Sequence, residues 1–219
     1  MYQFGRKQQH KGQAEMATAI SPLASDRLDE NPFALFARWF DEAKQTEIND
    51  PNAMALASVD ESGMPSVRIV LLKDVGADHF VFFTNYTSRK SAELLATKKA
   101  AFVIHWKSLR RQVRVVGAVE KASATESDAY FATRSRASQI GAWASDQSSA
   151  LASRQKLMDK VAEFDSAYPD EVPRPPHWGG FVVTPHEIEF WADGEARLHD
   201  RFRYQRNEQG LWQAHRLSP

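Results

Sequence analysis

Ser66-Val67-Arg68-Ile69-Val70-Leu71-Leu72-Lys73 is a run of branched apolar residues bounded by cations. Four consecutive aliphatics after Arg68 predict a strand covered on both faces, because a half-exposed strand would alternate with polar residues. The side-chain period of two puts Arg68 and Lys73, five apart, on opposite faces or at opposite ends. The pair therefore predicts two anions, or two ends of one elongated ligand, unless both are simply solvated strand ends.

Working outward, Ala53 to Val59 and His79 to Thr84 read as flanking strands. The turns Asp60-Glu61-Ser62-Gly63 and Gly76-Ala77-Asp78 join them to the first run in a three-stranded antiparallel meander. Upstream, Asn31-Pro32 is an N-cap followed by the residue favoured at the first helical position, and Phe33, Phe36, Trp39, Phe40 and Ala43 recur at helical spacing to about Glu47. Met1 to Asp29 carry no sustained period and read as a mobile arm, which leaves residues 30–219 as one domain. Downstream, Ser88 is a candidate cap for a helix through Lys98 that places Arg89 and Lys90 in its first turn. Cations there oppose the helix dipole by some tenths of a kcal/mol while the free amides favour an anion, so the turn is either a phosphate seat or a solvated basic face.

Strands Ala100 to Trp106 and Gln112 to Glu120 follow. Thr125 with Asp128 opens helical pieces from Ser123 to Ala152, broken near Gly141, and a further helix runs from about Ser149 to Phe164. Four prolines between Pro169 and Pro176 make a stiff connector. The remaining strands are Gly180 to Thr184, Glu187 to Ala192, Arg197 to Gln205 and Leu211 to Leu217. Seven or eight antiparallel strands with inserted helices give a mainly β fold with helices (α+β), arranged as a barrel.

Composition narrows the function. The 219 residues, 42% hydrophobic, support one sizeable core, and a formal net charge of zero provides no basic field for nucleic acid. Cysteine is absent, which excludes disulfides, thiolate nucleophiles and Cys-ligated zinc. No apolar run approaches the ~20 residues of a membrane span and the first thirty residues lack a secretory core, so a cytoplasmic protein is expected. The seven His are scattered, and no metal site is expected. Phosphate-loop, dinucleotide, zinc-protease and serine-hydrolase motifs are all missing.

Two polar groups stand out. In Glu195-Ala196-Arg197-Leu198-His199-Asp200-Arg201, a strand would put Arg197, His199 and Arg201 on one face, a cationic cluster that needs an anionic ligand or the neighbouring carboxylates. Tyr130, Arg134 and Ser138, four apart, would stack on one side of a continuous helix as a phosphate cradle, or form an exposed face with one buried ring. Gln112 and Gln147-Ser148 are polar residues in apolar surroundings.

With Arg68 to Lys73, Ser88-Arg89-Lys90, Ser138-Gln139-Ile140-Gly141-Ala142-Trp143, Trp178-Gly179-Gly180-Phe181 and Glu189-Phe190-Trp191 through Arg201 in the same order, the chain resembles the pyridoxine/pyridoxamine 5′-phosphate oxidase family over about Asn31 to Pro219. The resemblance implies an FMN-binding split β-barrel and a homodimer with FMN at the subunit interface. It implies oxidation of pyridoxine or pyridoxamine 5′-phosphate to pyridoxal 5′-phosphate, with dioxygen as acceptor and hydrogen peroxide as product. Carried over by position, the FMN contacts fall on Arg68, Ile69, Val70, Leu71, Leu72, Lys73, Phe83, Thr84, Arg89, Lys90, Gln112, Gln147, Ser148, Trp191 and Arg201. The substrate contacts fall on Lys73, Tyr130, Arg134, Ser138, Arg197, Leu198 and His199, with Arg197 orienting the substrate at its reacting face and His199 as its hydrogen-bonding or proton-handling partner. Family members often carry an Arg-Arg-Glu-Tyr stretch in the N-terminal arm; Met1 to Asp29 do not reproduce it, and no site residue is assigned there. Phenazine-pathway flavin oxidases share the Arg-Leu-His stretch and the first flavin strand, whereas Ser138 to Trp143 and Trp178 to Gly180 look more like the vitamin B6 enzyme.

Overall fold

Asn31 caps α1 (Pro32–Thr46), its side-chain oxygen accepting from the Phe33 amide at 2.8 Å. Pro32 stands at the first helical position, where a missing N–H costs nothing. The computed structural model describes Leu23 and residues 28–219, so the expected arm lies outside the described residues apart from Leu23, Leu28 and Asp29. The apolar stripe of α1 is buried: Phe36 meets Phe80 edge-on at 5.1 Å and Trp39 meets Phe190 edge-on at 5.3 Å. Leu23 is buried in the same core.

β1 (Ala53–Val59), β2 (Pro65–Val75) and β3 (Phe80–Asn85) form the expected meander. β4 (Lys99–Trp106), β5 (Arg111–Lys121), β6 (Trp178–Ala192), β7 (Asp200–Arg206) and β8 (Trp212–Leu217) follow, and the sheet runs β3-β2-β1-β4-β5-β6-β7-β8. β6 organises the rest, because it pairs with β5 along its length, with β3 through Trp178–Val183 and with β7 through Glu187–Ala192. The β3–β6 pairing closes the first six strands into a barrel, and β7 with β8 extends the sheet beyond it. The two strands expected at 180–184 and 187–192 are thus one. The exchange of partners coincides with a bulge at Val116 and Gly117, where a Cβ on Gly117 would lie 2.4 Å from the Thr184 carbonyl oxygen. Glycine permits that approach.

β2 is not covered on both faces. It alternates, with Val67 68% and Ile69 65% exposed and Leu72 buried in the core, because a closed barrel offers each strand one inward face and, among the described residues, nothing covers Val67 and Ile69 on the other. Lys73 is the extra residue of a bulge between Leu72 and Asp74, and bulges re-aim the side chains they carry.

The helices also differ from expectation at their ends. In α2 (Arg89–Thr97) Ser88 occupies the cap position, but its hydroxyl donates to the Asn85 carbonyl at 2.8 Å. The cap of α3 (Ala124–Ala132) is Ser123, in a capping box with Glu126, rather than Thr125 with Asp128. The break before α4 (Arg136–Ala144) falls at Thr133 to Ser135, where Ser135 caps the new helix, and Gly141 is helical. α5 (Arg154–Ala167) starts five residues later than expected because Ser153 supplies its cap. Phe131, Ile140, Val172 and Trp178 form a second small core that packs α3 and α4 on the start of β6. Among the described residues no helix is long and apolar enough to cross a membrane.

Candidate active site

A cleft of about 720 Å³ lies between β2, β3, the first turn of α2 and the α3–α4 link. One wall is aromatic. Phe83 stacks on Tyr130 at 4.0 Å and 16° and on Trp178 at 5.6 Å and 11°, and the Arg134 guanidinium lies 4.7 Å from the Trp178 ring centre. Tyr130, Arg134 and Ser138 all line the cleft, though not as neighbours on one continuous helix. Tyr130 belongs to α3, Arg134 to the link, and Ser138 to the first turn of α4, where its hydroxyl accepts from Ser135 at 2.9 Å. The break thus folds the row around the ligand space. Burial lowers the pKa of Arg134, against the opposing influence of Tyr130, and its Nη1 is buried without a hydrogen-bond partner.

Lys90 faces the same cleft and is 8% exposed. Its ammonium donates to Thr84 Oγ1 at 2.9 Å, Ser88 Oγ at 3.0 Å and Gln147 Oε1 at 2.5 Å, all neutral oxygens. Burial, then the nearby Arg68 charge, bring its pKa down to about 8. A buried cation held only by neutral groups, with open space beside it, is a seat for an anion. Ile69, Val70, Leu71 and Lys73 line the cleft from β2, whereas Leu72 turns into the core.

Arg68 and Arg89 do not line the cleft; both are bound to Glu93, at 3.3 and 2.8 Å. Glu93 is 5% exposed and accepts at 2.5 Å from each of Ser58 and Ser66. Burial alone would raise its pKa, but the hydrogen bonds from Ser58, Ser66 and Arg89, together with the charge of Arg68, outweigh this and bring it down to about 2. Sequence reasoning missed Glu93, although its place four residues after Arg89 marks an i,i+4 pair. It also missed Asn85, which lines the cleft and ties the end of α4 to β3 by donating to the Ser145 carbonyl at 3.1 Å. Ser148 lies in the loop after α4, exposed and at a φ of 76°.

The remaining predicted residues gather elsewhere. Gln112, Trp191 and Arg201 stand opposite one another across β5, β6 and β7. His199 lies against the Trp191 ring at 4.7 Å, with Nδ1 3.2 Å from both the Gly194 amide and Asp193 Oδ1. Arg201 binds Glu189 through Nε at 2.9 Å and Nη2 at 2.8 Å. Arg197 is not in a strand with His199 and Arg201: it ends a 3₁₀ turn (Glu195–Arg197) with φ of 65°, and β7 begins only at Asp200. The chain doubles back here, since a Cβ on Gly194 would meet the Leu198 carbonyl oxygen at 2.0 Å. Arg197 and Leu198 are exposed, and Arg197 has no hydrogen bond or ion pair among the described residues. Trp178 on the cleft and Trp191 in this second group are thirteen residues apart on β6, about 40 Å along a strand rising about 3.3 Å per residue. The predicted residues thus form two separate groups, at opposite ends of β6.

An antiparallel barrel with a ring-lined cleft that Lys90 and Arg134 face is the class of fold the chain presents. The chain belongs to the pyridoxamine 5′-phosphate oxidase family: the family model described as "Pyridoxamine 5'-phosphate oxidase" matches residues 40–168, and "Pyridoxine 5'-phosphate oxidase C-terminal dimerisation region" matches residues 178–219. It is 54% identical over 191 residues to the pyridoxine/pyridoxamine 5′-phosphate oxidase of Cereibacter sphaeroides, covering 87% of this chain and 96% of that one. With the protein of the same name from Rhizobium etli it shares 56% over 190 residues, 86% of this chain and 92% of that one. Among solved structures, PhzG from Burkholderia lata 383, in complex with tetrahydrophenazine-1-carboxylic acid, superposes with a TM-score of 0.83 at 32% identity over 88% of this chain and 96% of that one.

Proposed function

We propose that the chain is an FMN-dependent oxidase that converts pyridoxine or pyridoxamine 5′-phosphate to pyridoxal 5′-phosphate, with dioxygen as acceptor and hydrogen peroxide as product. The observation that carries the reading is the pair of cations facing one cleft, Lys90 buried and Arg134 half-buried with its Nη1 buried, neither with a carboxylate partner among the described residues. A flavin phosphate and a substrate phosphate are two anions for two seats, beside a wall of rings suited to flat ligands. The relatives at 54% and 56% identity carry the name of this activity, whereas the phenazine-pathway protein stands at 32%.

In this reading FMN is held by Arg68, Arg89 and Lys90, by β2 through Lys73, by Phe83 and Thr84, and by Gln147 and Ser148. Gln112, Trp191 and Arg201 come from a second chain, since about 40 Å of β6 separates them from the cleft of their own. A homodimer would also cover Val67 and Ile69, and the match to a dimerisation region over residues 178–219 supports it. When bound, FMN supplies the redox chemistry, as acceptor of a hydride from the substrate's C4′ carbon before dioxygen takes the electrons. The protein's part is placement. Lys73, Tyr130, Arg134 and Ser138 anchor the substrate phosphate, while Arg197, Leu198 and His199 close on the ring from the opposing half-site. Fixing both ends of the substrate lowers the entropic cost of a reactive geometry.

The test is product formation by the FMN-loaded protein, followed as pyridoxal 5′-phosphate and peroxide together. Turnover of pyridoxine or pyridoxamine 5′-phosphate, and none of a reduced phenazine carboxylic acid, is expected. The reverse preference would move the assignment to the phenazine-type reaction.

A further inference from the structure

Three cations, Arg68, Arg89 and Lys90, sit at the start of α2 and the adjoining part of β2, and among the described residues Glu93 is the one carboxylate bonded to any of them. It is a buried junction. Its Oε2 accepts from Ser58 on β1 and Ser66 on β2 at 2.5 Å and lies 3.3 Å from Arg68 Nη2, while Oε1 accepts from Arg89 Nε at 2.8 Å. Arg68 in turn donates to the Leu56 carbonyl at 3.1 Å, to Ser58 Oγ at 2.6 Å and to Ser66 Oγ. One carboxylate thus ties the first turn of α2 to two strands of the barrel and fixes both guanidinium groups.

We propose that Glu93 is a positioning residue for the flavin phosphate, holding Arg68 and Arg89 in place beside Lys90 so that phosphate meets a preformed cationic seat. The proposal rests on the FMN reading above and adds to it a residue that need not touch the cofactor. Positioning and simple electrostatics predict opposite outcomes here. Removing a negative charge near a phosphate seat should tighten phosphate binding if net charge governs. If Glu93 governs geometry, the same change frees two arginines that repel each other and Lys90, and phosphate binding weakens.

The discriminating experiment titrates flavin-free protein with FMN and with riboflavin, which lacks the phosphate, and reads flavin fluorescence. Glu93→Gln keeps the shape and loses the charge; it should weaken FMN binding by at least about tenfold and leave riboflavin binding within about twofold. Ser66→Ala leaves every charge in place and loosens the same junction, so it should weaken FMN binding by about threefold with riboflavin unchanged. The Ser66 variant decides the question if Glu93→Gln does not fold. FMN binding that is unchanged or tighter in these variants, or an equal loss for both flavins, overturns the proposal. A wild-type chain that binds FMN no better than riboflavin overturns the underlying cofactor reading, and this proposal with it.

Discussion

Replacing Lys90 by Met should stabilise the flavin-free protein while weakening its hold on FMN. The fall in the pKa of Lys90 from 10.5 to about 8, caused by burial and then by the Arg68 charge, corresponds to a cost of about 3 kcal/mol, at about 1.4 kcal/mol per pKa unit. Methionine removes that cost and loses three hydrogen bonds to Thr84, Ser88 and Gln147, each contributing about 0.5 kcal/mol beyond the charge effect already counted, while Thr84 and Gln147 remain bonded to each other at 3.2 Å. The net gain is about 1–2 kcal/mol, a rise in Tm of about 2–8 °C for a chain of this size. The pH dependence has a definite sign. Below pH 8 both folded and unfolded chains carry the Lys90 proton and the cost is fully present; from about pH 8 to 10.5 the unfolded chain binds more protons, so wild-type stability gains on the variant. Lost charge-assisted bonds to phosphate should weaken FMN by about tenfold to a hundredfold. For the same reason wild-type affinity should fall as pH rises above about 8. Calorimetry of flavin-free protein at pH 7 and 9.5, with FMN titrations alongside, checks each part. A lower Tm for Lys90→Met at pH 7, or unaltered FMN affinity, would refute the reasoning.

Arg134→Ala should raise KM for the phosphorylated substrate by about tenfold or more with FMN retained, since the guanidinium lines the cleft away from the α2 seat; loss of flavin would count against the division. Arg197→Leu should keep FMN and the dimer while lowering kcat/KM by at least about tenfold, or about 1.4 kcal/mol, as measured by steady-state kinetics. Glu93, with a folded pKa of about 2 against an ordinary 4.5, contributes stability that is fully present above pH 4.5 and is lost as pH falls from 4.5 through 2. It amounts to about 3 kcal/mol, so the stability gap between wild type and Glu93→Gln should shrink over that interval in acid-unfolding curves. Val67→Asp, placing a charge on the exposed face of β2 outside the cleft, should shift light scattering from dimer to monomer and weaken FMN in parallel; a monomer that binds FMN normally would contradict a shared site.

The strands were legible because they rest on local chemistry. Apolar runs and turn residues locate β1 to β5, and Ser88 marks the start of α2 even though its side chain does not cap it. What failed depends on non-local geometry. The aliphatic run of β2 looked buried because composition cannot tell a core face from a face left for another chain. Arg197 was placed in a strand because the left-handed turn at Ala196 and Arg197 is forced by close packing of Gly194 on Leu198, which has no local signature in Ala or Arg. Tyr130, Arg134 and Ser138 were grouped correctly for the wrong reason, since a helix break rather than a helix face brings them to the cleft. Glu93 went unnoticed because its partners, Ser58, Ser66 and Arg68, lie 25 to 35 residues away in sequence.

The most direct test of the central claim is the visible spectrum of the FMN-loaded protein before and after anaerobic addition of pyridoxamine 5′-phosphate. The flavin band is expected to bleach on addition and to return when air is admitted, with pyridoxal 5′-phosphate and peroxide appearing together. A bound flavin whose band does not change on addition of either pyridoxamine or pyridoxine 5′-phosphate would contradict it.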